Sequence, residues 1–337
     1  MHGPPVTAAR RWIIAEVGSV HDGSFGNACK LIELAARCGA QVVKFQTHVA
    51  EAETLRDAPA PSYFKAEPRF AYFRRTAFTL EQWKDLKRVT HDNGLLFCSS
   101  PFASEAVDLL EEVGIDIYKI ASGEVTNLPL LEKIARTKRT VVLSSGMSDW
   151  AELDRAVETL RPCGDLVVMQ CTSAYPCPVE RAGINVVREM ASRYQLPTGF
   201  SDHTQGIAAA VTAIAQGATI VEKHITFSRH MYGSDAQFGA EPDEFSRYCR
   251  ELQDAWKIID HPVDKTNLDA LREMKSVFEK SIVTAAAIAA GEVLTKEKLA
   301  FKKPGDGIPA ARWRELVGRR LRRAAPADHK LTFEDLS

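Results

Sequence analysis

The chain has 337 residues, 45% of them hydrophobic, with 43 basic against 44 acidic side chains. That length holds one large domain and a small one, each with its own core. The near-zero net charge gives no electrostatic reason to expect nucleic acid or an anionic membrane as partner, and no apolar run approaches the ~20 residues of a membrane span. The Met1–Val6 start lacks the charged-then-apolar layout of a secretory signal. The cysteines (Cys29, Cys38, Cys98, Cys163, Cys171, Cys177 and Cys249) are odd in number, scattered and without a CxxC. They read as buried thiols of a cytoplasmic protein, not as a disulfide frame or a zinc site.

From the first strand onward, short apolar runs alternate with amphipathic helices. The predicted strands are Trp12–Ser19, Gln41–His48, Leu95–Phe102, Ile115–Ser122, Thr140–Met147, Asp165–Ser173, Pro197–Thr204 and Thr219–Phe227. Helices are predicted at Asn27–Cys38, Leu80–Asn93, Glu105–Val113, Leu128–Thr137, Trp150–Leu160, Val186–Tyr194, Ile207–Gln216 and Glu244–Ile259. Thr79 and Ser148-Asp149 are helix-start signals, and Gly39, Gly94, Gly114 and Gly217 stand where helices stop. Eight strands, each followed by a helix, predict an α/β fold of the (β/α)8 TIM barrel kind, in preference to a doubly wound open sheet. The stretch 49–78 interrupts the second βα unit, and long βα loops in a barrel cover the active site. Its Phe70-Ala-Tyr-Phe73 run reads as packing of that cover.

After Ile259 the rhythm breaks. The expected organisation is a barrel over 1–260, a polar linker over 261–278 and a small β-rich domain over 279–337 with a helix near Ala311–Val317. So small a domain leans on the barrel or on a partner subunit. The Arg319-Arg-Leu-Arg-Arg323 cluster reads as a solvated strand face.

In a barrel of this kind the chemistry sits at the C-terminal ends of the strands. Two histidines stand there, His203 after Asp202 and His224 after Glu222-Lys223, with twenty residues between them. Imidazoles are common ligands of divalent metals and nearby carboxylates can orient them, but the spacing alone favours two hydrogen-bonded structural histidines. Other strands end in the same polar way: Glu16; Lys44, Gln46 and His48; Ser99 and Ser100; Lys119, Ser122 and Glu124; Ser144 and Ser145; Ser173 and Tyr175. Burying two ammonium groups at one mouth is costly unless an anion pairs with them, and a phosphate would serve. Cys98 and Cys171 read as packed thiols.

The segments Ile13-Ile-Ala-Glu-Val-Gly18, Lys44-Phe-Gln-Thr-His48, Lys119-Ile-Ala-Ser-Gly-Glu124, Leu143-Ser-Ser-Gly-Met147, Cys171-Thr-Ser-Ala-Tyr-Pro176, Phe200-Ser-Asp-His-Thr204 and Glu222-Lys-His-Ile225 together resemble the sialic acid synthase family. Ser281–Leu336 resembles that family's C-terminal antifreeze-like (SAF) domain. The resemblance implies a transferase that condenses phosphoenolpyruvate with an N-acetylmannosamine-type aldose, giving a nonulosonic acid and phosphate with the help of Mn2+ or Mg2+. It implies His203 and His224 as metal ligands and Glu16, Glu124 and Glu222 as catalytic carboxylates. Lys44, Lys119, Ser122, Ser144 and Ser201 would hold phosphoenolpyruvate, and Gln46, Tyr175 and Asp235 the sugar. It also implies a homodimer in which each small domain covers the partner's barrel mouth. The chain departs from the pattern at Lys303, where the family usually has Arg reaching toward the N-acyl group, at Ser234 in place of Pro, and at Ser173, where some members carry Asn. Three other readings stay open: a synthase using a different acylamino sugar or an unsubstituted or phosphorylated hexose (legionaminate, pseudaminate or KDN type), a lyase forming a Schiff base at Lys44 or Lys119, and an inactive barrel whose small domain binds sugar or ice.

Overall fold

The computed structural model describes residues 11–59 and 66–337, so the Met1–Val6 start and part of the 49–78 stretch lie outside the described residues. The chain divides into two compact units at His261/Pro262. In the first, β1 (Trp12–Gly18), β2 (Val42–Thr47), β3 (Leu96–Pro101), β4 (Ile117–Ile120), β5 (Thr140–Ser144), β6 (Leu166–Cys171), β7 (Thr198–Asp202) and β8 (Ala218–His224) form a closed barrel. All neighbours are parallel, and β1 closes on β8 with Glu16 opposite His224. The TIM barrel read from the sequence is therefore the fold.

The helices are α1 (Phe25–Cys38), α2 (Ala50–Glu53), α3 (Arg69–Thr76), α4 (Leu80–Asp92), α5 (Ser104–Val113), α6 (Leu128–Arg136), α7 (Trp150–Leu160), α8 (Asn185–Tyr194), α9 (Ala208–Ala215) and α10 (Pro242–Asp260). Thr79 with Gln82, and Asp149 with Glu152, form reciprocal capping boxes that start α4 and α7. Gly39 and Gly114 end α1 and α5 in the left-handed conformation. Most predicted strands run past the observed ones at their C-terminal ends, as at β4 and β5. There the chain leaves the hydrogen-bonded ladder, and those unpaired residues build the site.

Side chains alternate along each strand between the helices outside and the barrel interior. Ile13, Ala15, Val43, Phe45, Tyr118, Leu143, Val168, Phe200 and Val221 face the helices and form the larger core. Trp12, Ile14, Val42, Cys98, Ile117, Val142, Val167, Met169 and Ile220 fill the barrel floor as a separate apolar cluster. One pleat further along the same strands, the interior turns polar.

The described part of 49–78 carries α2 and α3. Arg75 of α3 pairs with Asp22 at 2.7 Å and Glu67 at 2.6 Å, and Tyr72 is buried with its hydroxyl 3.5 Å from the Ser19 carbonyl. Tyr72 packs inward, and both Tyr72 and Phe73 line the cavity described below.

The second unit runs Pro262–Ser337, so residues 262–278 group with the small domain and contain α11 (Arg272–Phe278). Its strands β9 (Ser281–Thr284) and β10 (Leu299–Lys302) pair antiparallel. Ile282, Ile288, Leu294, Leu299, Ile308, Leu316, Leu321, Ala325, Leu331 and Leu336 form its core. The helix expected near Ala311–Val317 is a 3₁₀ turn over Ala310–Glu315, bounded by Pro309 and by Gly318 at positive φ. In the arginine cluster only Leu321 is buried; the four arginines are exposed.

Candidate active site

The polar layer above the floor begins with four ionisable side chains that are each between 1% and 4% exposed: Glu16, Lys44, Lys119 and Glu222. Lys44 Nζ lies 2.9 Å from Glu16 Oε2 and 3.5 Å from Glu222 Oε1, and Lys119 Nζ donates to Glu222 Oε1 at 3.1 Å. Two cations face two anions, so the cluster is already neutral. The expectation of two ammonium groups awaiting an anion is corrected on this point: carboxylates from β1 and β8 share the barrel mouth with the lysines. Burial alone would lower the Lys44 pKa, but Glu16 and Glu222 outweigh it and raise it. Burial likewise works upward on Glu222, and Lys119 and Lys44 outweigh it, holding the carboxyl below its ordinary range.

These groups line a cavity of about 460 Å3 at the C-terminal ends of the strands. Five buried side-chain polar atoms among the described residues lack a hydrogen-bond partner, and four of them sit in its wall: Glu16 Oε2, Ser100 Oγ, Glu222 Oε2 and His224 Nδ1. Buried polar groups are ordinarily satisfied, so such clustering marks a site shaped for a polar ligand. A neighbouring cavity of about 590 Å3 shares His203 and Phe238 but lacks this signature. Its cations are paired within the protein, Lys223 with Asp202 and Arg229 with Glu244, while Arg247 pairs with Glu251.

Hydroxyls ring the first cavity. Ser201 donates to Glu222 Oε1 at 3.1 Å, and Ser122, Ser144 and Ser173 line the wall. Gly146 N donates to Ser122 Oγ at 3.1 Å, and a β-carbon there would meet Ser173 Oγ at 2.4 Å and Ser122 Oγ at 2.6 Å. Only glycine lets the β5 loop come so close. Gln46 Nε2 donates to Glu16 Oε1 at 2.8 Å. Asp235 accepts from Ser19 N at 2.9 Å and leans over Gly18, whose φ of +53° and absent side chain make room for it.

His203 and His224 face each other with ring centroids 5.6 Å apart, and Tyr175 lies 4.2 Å from the His203 ring. His203 Nδ1 is 2.8 Å from the Thr172 carbonyl, so Nδ1 carries the proton and Nε2 is the ring's free nitrogen. His224 Nδ1 is buried and unpartnered, and burial lowers the pKa of this imidazole. Asp202 and Lys223 do not orient these rings. Adjacent strand residues point to opposite faces, so the two pair with each other at 3.0 Å outside the barrel wall, where Tyr248 of α10 donates to Asp202 at 2.9 Å. Among the described residues no group of three or more His, Cys, Asp or Glu side chains is placed to hold a metal. Two imidazoles with open nitrogens, beside an unpartnered carboxylate oxygen, fit a divalent ion whose other ligands come from substrate and water.

Every residue of the first unit singled out from the sequence as a catalytic, substrate-binding or metal residue lines this cavity except Glu124. Glu124 sits in the turn after β4, where its Oε2 accepts from Asn127 Nδ2 at 2.8 Å. Lys303 is exposed in the second unit, its ammonium 4.9 Å from the centroid of the Phe278 ring. Cys98 is a floor thiol whose pKa is raised by burial, as read. Cys171 is not merely packed: it lines the cavity, with Sγ 3.9 Å from His203 Nδ1 and 3.7 Å from Ser122 Oγ. Phe73 of α3, read from the sequence only as packing of the cover, and Phe102, which follows β3, are also in the wall.

Residues 31–264 match the model of the NeuB family and residues 279–337 that of the SAF domain. The N,N'-diacetyllegionaminic acid synthase of Campylobacter jejuni is 34% identical over 91% of this chain and 94% of its own length. The human N-acetylneuraminate-9-phosphate synthase is 31% identical over 92% of this chain and 88% of its own. The crystal structure of the N-acetylneuraminic acid synthetase of Leptospira borgpetersenii, in complex with citrate, superposes with a TM-score of 0.69 at 30% identity. That alignment covers 79% of this chain and 90% of the other. The chain therefore belongs to the NeuB family, enzymes that form a carbon–carbon bond in nonulosonic acid synthesis, and it carries a SAF domain after the barrel.

Proposed function

We propose that this enzyme condenses phosphoenolpyruvate with an N-acetylmannosamine-type aldose, releasing phosphate and a nonulosonic acid. The single observation that carries the reading is the set of unpartnered polar atoms around the Lys44–Lys119–Glu16–Glu222 cluster. Lys44 and Lys119 donate charge-assisted hydrogen bonds to the anionic enol phosphate, and Ser122, Ser144 and Ser201 add neutral ones. Gln46, Tyr175, Ser173 and Asp235 orient the aldose so that its aldehyde carbon meets the enol carbon of phosphoenolpyruvate. That carbon–carbon bond leaves positive charge on the carbon bearing the phosphate. Water adds there, and the carbon–oxygen bond to phosphate breaks.

Glu222, kept ionised by the two lysines, stabilises that positive charge. Glu16, which lines the cavity beside the lysines, takes the water proton. Glu16 and Glu222 line the cavity and Glu124 does not, so proton handling falls to the first two. A divalent metal, Mn2+ or Mg2+, held by His203 and His224 would supply Lewis acidity at the aldehyde oxygen. The ion pairs speak against a Schiff base: Lys44, held by Glu16 and Glu222, and Lys119, held by Glu222, are not free amine nucleophiles. We further propose a homodimer, to be read by analytical ultracentrifugation.

The test is phosphate release from phosphoenolpyruvate with a panel of aldoses. Release that depends on an acylamino hexose supports the reading, whereas a borohydride-trapped pyruvate adduct at Lys44 or Lys119 sinks it. Lys303 bears on which aldose is used. An ammonium is a compact, hydrated point charge and lacks the planar donor fork of a guanidinium. Lys303→Arg should therefore shift kcat/KM toward N-acetylmannosamine and away from mannose. A wild type that already strongly prefers N-acetylmannosamine, and a variant that changes nothing, would remove Lys303 from specificity.

A further inference from the structure

His48 follows β2 with its ring clamped between two phenylalanines. Phe73 of α3 stacks on one face with centroids 3.7 Å apart and planes 7° from parallel; Phe102 covers the other at 4.3 Å and 13°. Nδ1 lies 2.8 Å from Glu53 Oε1 on α2, and both side chains are nearly fully buried. Nε2 lies 3.2 Å from Gln46 Oε1. Gln46 in turn donates through Nε2 to Glu16 Oε1 at 2.8 Å, and Glu16 Oε2 is 2.9 Å from Lys44 Nζ. An unbroken polar chain thus runs from the α2–α3 cover into the charged cluster.

The direction of that chain is set by proton counting. Glu16 accepts, so the Gln46 amide must present its nitrogen there and its oxygen to His48. Both ring nitrogens of His48 therefore face acceptors, and His48 with Glu53 must hold two protons between them. Packing alone does not ask for this: phenylalanine would fill the slot between Phe73 and Phe102. Only an imidazole fits the slot and also hydrogen-bonds at both ends. The second Glu53 oxygen is buried without a partner among the described residues, so the pair with His48 is that carboxylate's main compensation.

We propose that His48, backed by Glu53, is a positioning residue for the aldose subsite: it holds Gln46 and Glu16 in their working orientation and ties that orientation to the α2–α3 cover. The inference rests on the condensation proposed above, in which Gln46 meets the aldose and Lys44 and Lys119 meet phosphoenolpyruvate. Both lysines keep Glu222 as an ion-pair partner when His48 is changed, so the two substrates should respond differently.

The experiment is steady-state kinetics of the metal-loaded, full-length enzyme, with both KM values, kcat and the thermal midpoint. His48→Phe preserves the stack and deletes both hydrogen bonds. It should raise the aldose KM about tenfold, the worth of one hydrogen bond to a charged group, and leave the KM for phosphoenolpyruvate unchanged. Glu53→Gln should act in the same direction, and the double variant should be no worse than His48→Phe alone because both cut one chain. His48→Ala should be rescued in aldose KM by free imidazole. An unchanged aldose KM in folded variants overturns the inference, as does an equal rise in both KM values accompanied by a lower midpoint. A wild type that releases no phosphate with any aldose removes the condensation reading and this inference with it. Wild-type turnover with unaffected variants overturns the inference alone.

Discussion

The same eight strands build two interiors of opposite character. Along β1, Ile14 belongs to the floor and Glu16, one pleat on, to the mouth; along β8, Ile220 is followed by Glu222 and His224. The pleat, the register and the neighbouring strands are shared, so only the side-chain chemistry differs. In the floor every side chain finds apolar contacts. In the mouth, carboxylate, imidazole and hydroxyl atoms are buried without partners. A fold that can satisfy nearly all its buried polar groups leaves them open where a ligand completes them. The floor therefore serves stability, and the mouth forgoes some stability for binding.

That division can be broken most directly at the mouth. His203→Ala and His224→Ala should each abolish metal-dependent turnover while far-ultraviolet circular dichroism and the thermal midpoint stay near wild type. Neither ring belongs to a hydrophobic core cluster. Full activity of wild-type enzyme after EDTA treatment would show the pair to be structural. The floor should answer in the opposite way. Ile14 is fully buried, and Ile14→Ala should lower stability by about 2–5 kcal/mol through lost burial and the cavity it leaves. Urea unfolding measures the loss. Since Ile14 does not line the cavity, kcat under conditions where the variant is folded should stay at the wild-type value. A kcat that falls in proportion to stability would mean floor and mouth are one mechanical unit.

The barrel was legible because its signals are local. Strand alternation, the caps at Thr79 and Asp149 and the stops at Gly39 and Gly114 all lie within a few residues of the elements they punctuate. Most of the site was legible too, since a barrel brings strand ends together wherever they fall in the chain. What the sequence hid were pairings between distant strands. Nothing near Lys44 announces that Glu222, from the last strand, neutralises it together with Glu16. The role of Asp202 was misread because adjacency in sequence is opposition across a pleat, and it serves Lys223 and Tyr248 instead of His203. His48 was visible as a strand-end residue, but its function depends on Phe73, Phe102 and Glu53, which reach it from three other elements.

The smallest expected effect lies at the edge of the mouth and sharpens where its charge tolerance ends. Glu124 is half-buried, and burial raises its pKa above the ordinary 4.5 despite the hydrogen bond from Asn127. The folded protein thus holds this proton more tightly than the unfolded chain does. The stability this contributes is fully present below the unfolded pKa and is lost as pH rises through the folded one. At neutral pH the ionised carboxylate is a net cost, because among the described residues no cation forms an ion pair with it as the lysines do with Glu16 and Glu222. Glu124→Gln keeps an oxygen to accept from Asn127 and removes the charge. The thermal midpoint of the variant should exceed wild type by roughly 1 °C at pH 7, a fraction of a kcal/mol for a protein of this size, and the gap should close as pH falls below 4.5. Scanning calorimetry across that range reads both the sign and the closing point. A gap independent of pH would place its origin in packing, and a variant less stable than wild type at pH 7 would mean that the ionised Glu124 is compensated after all.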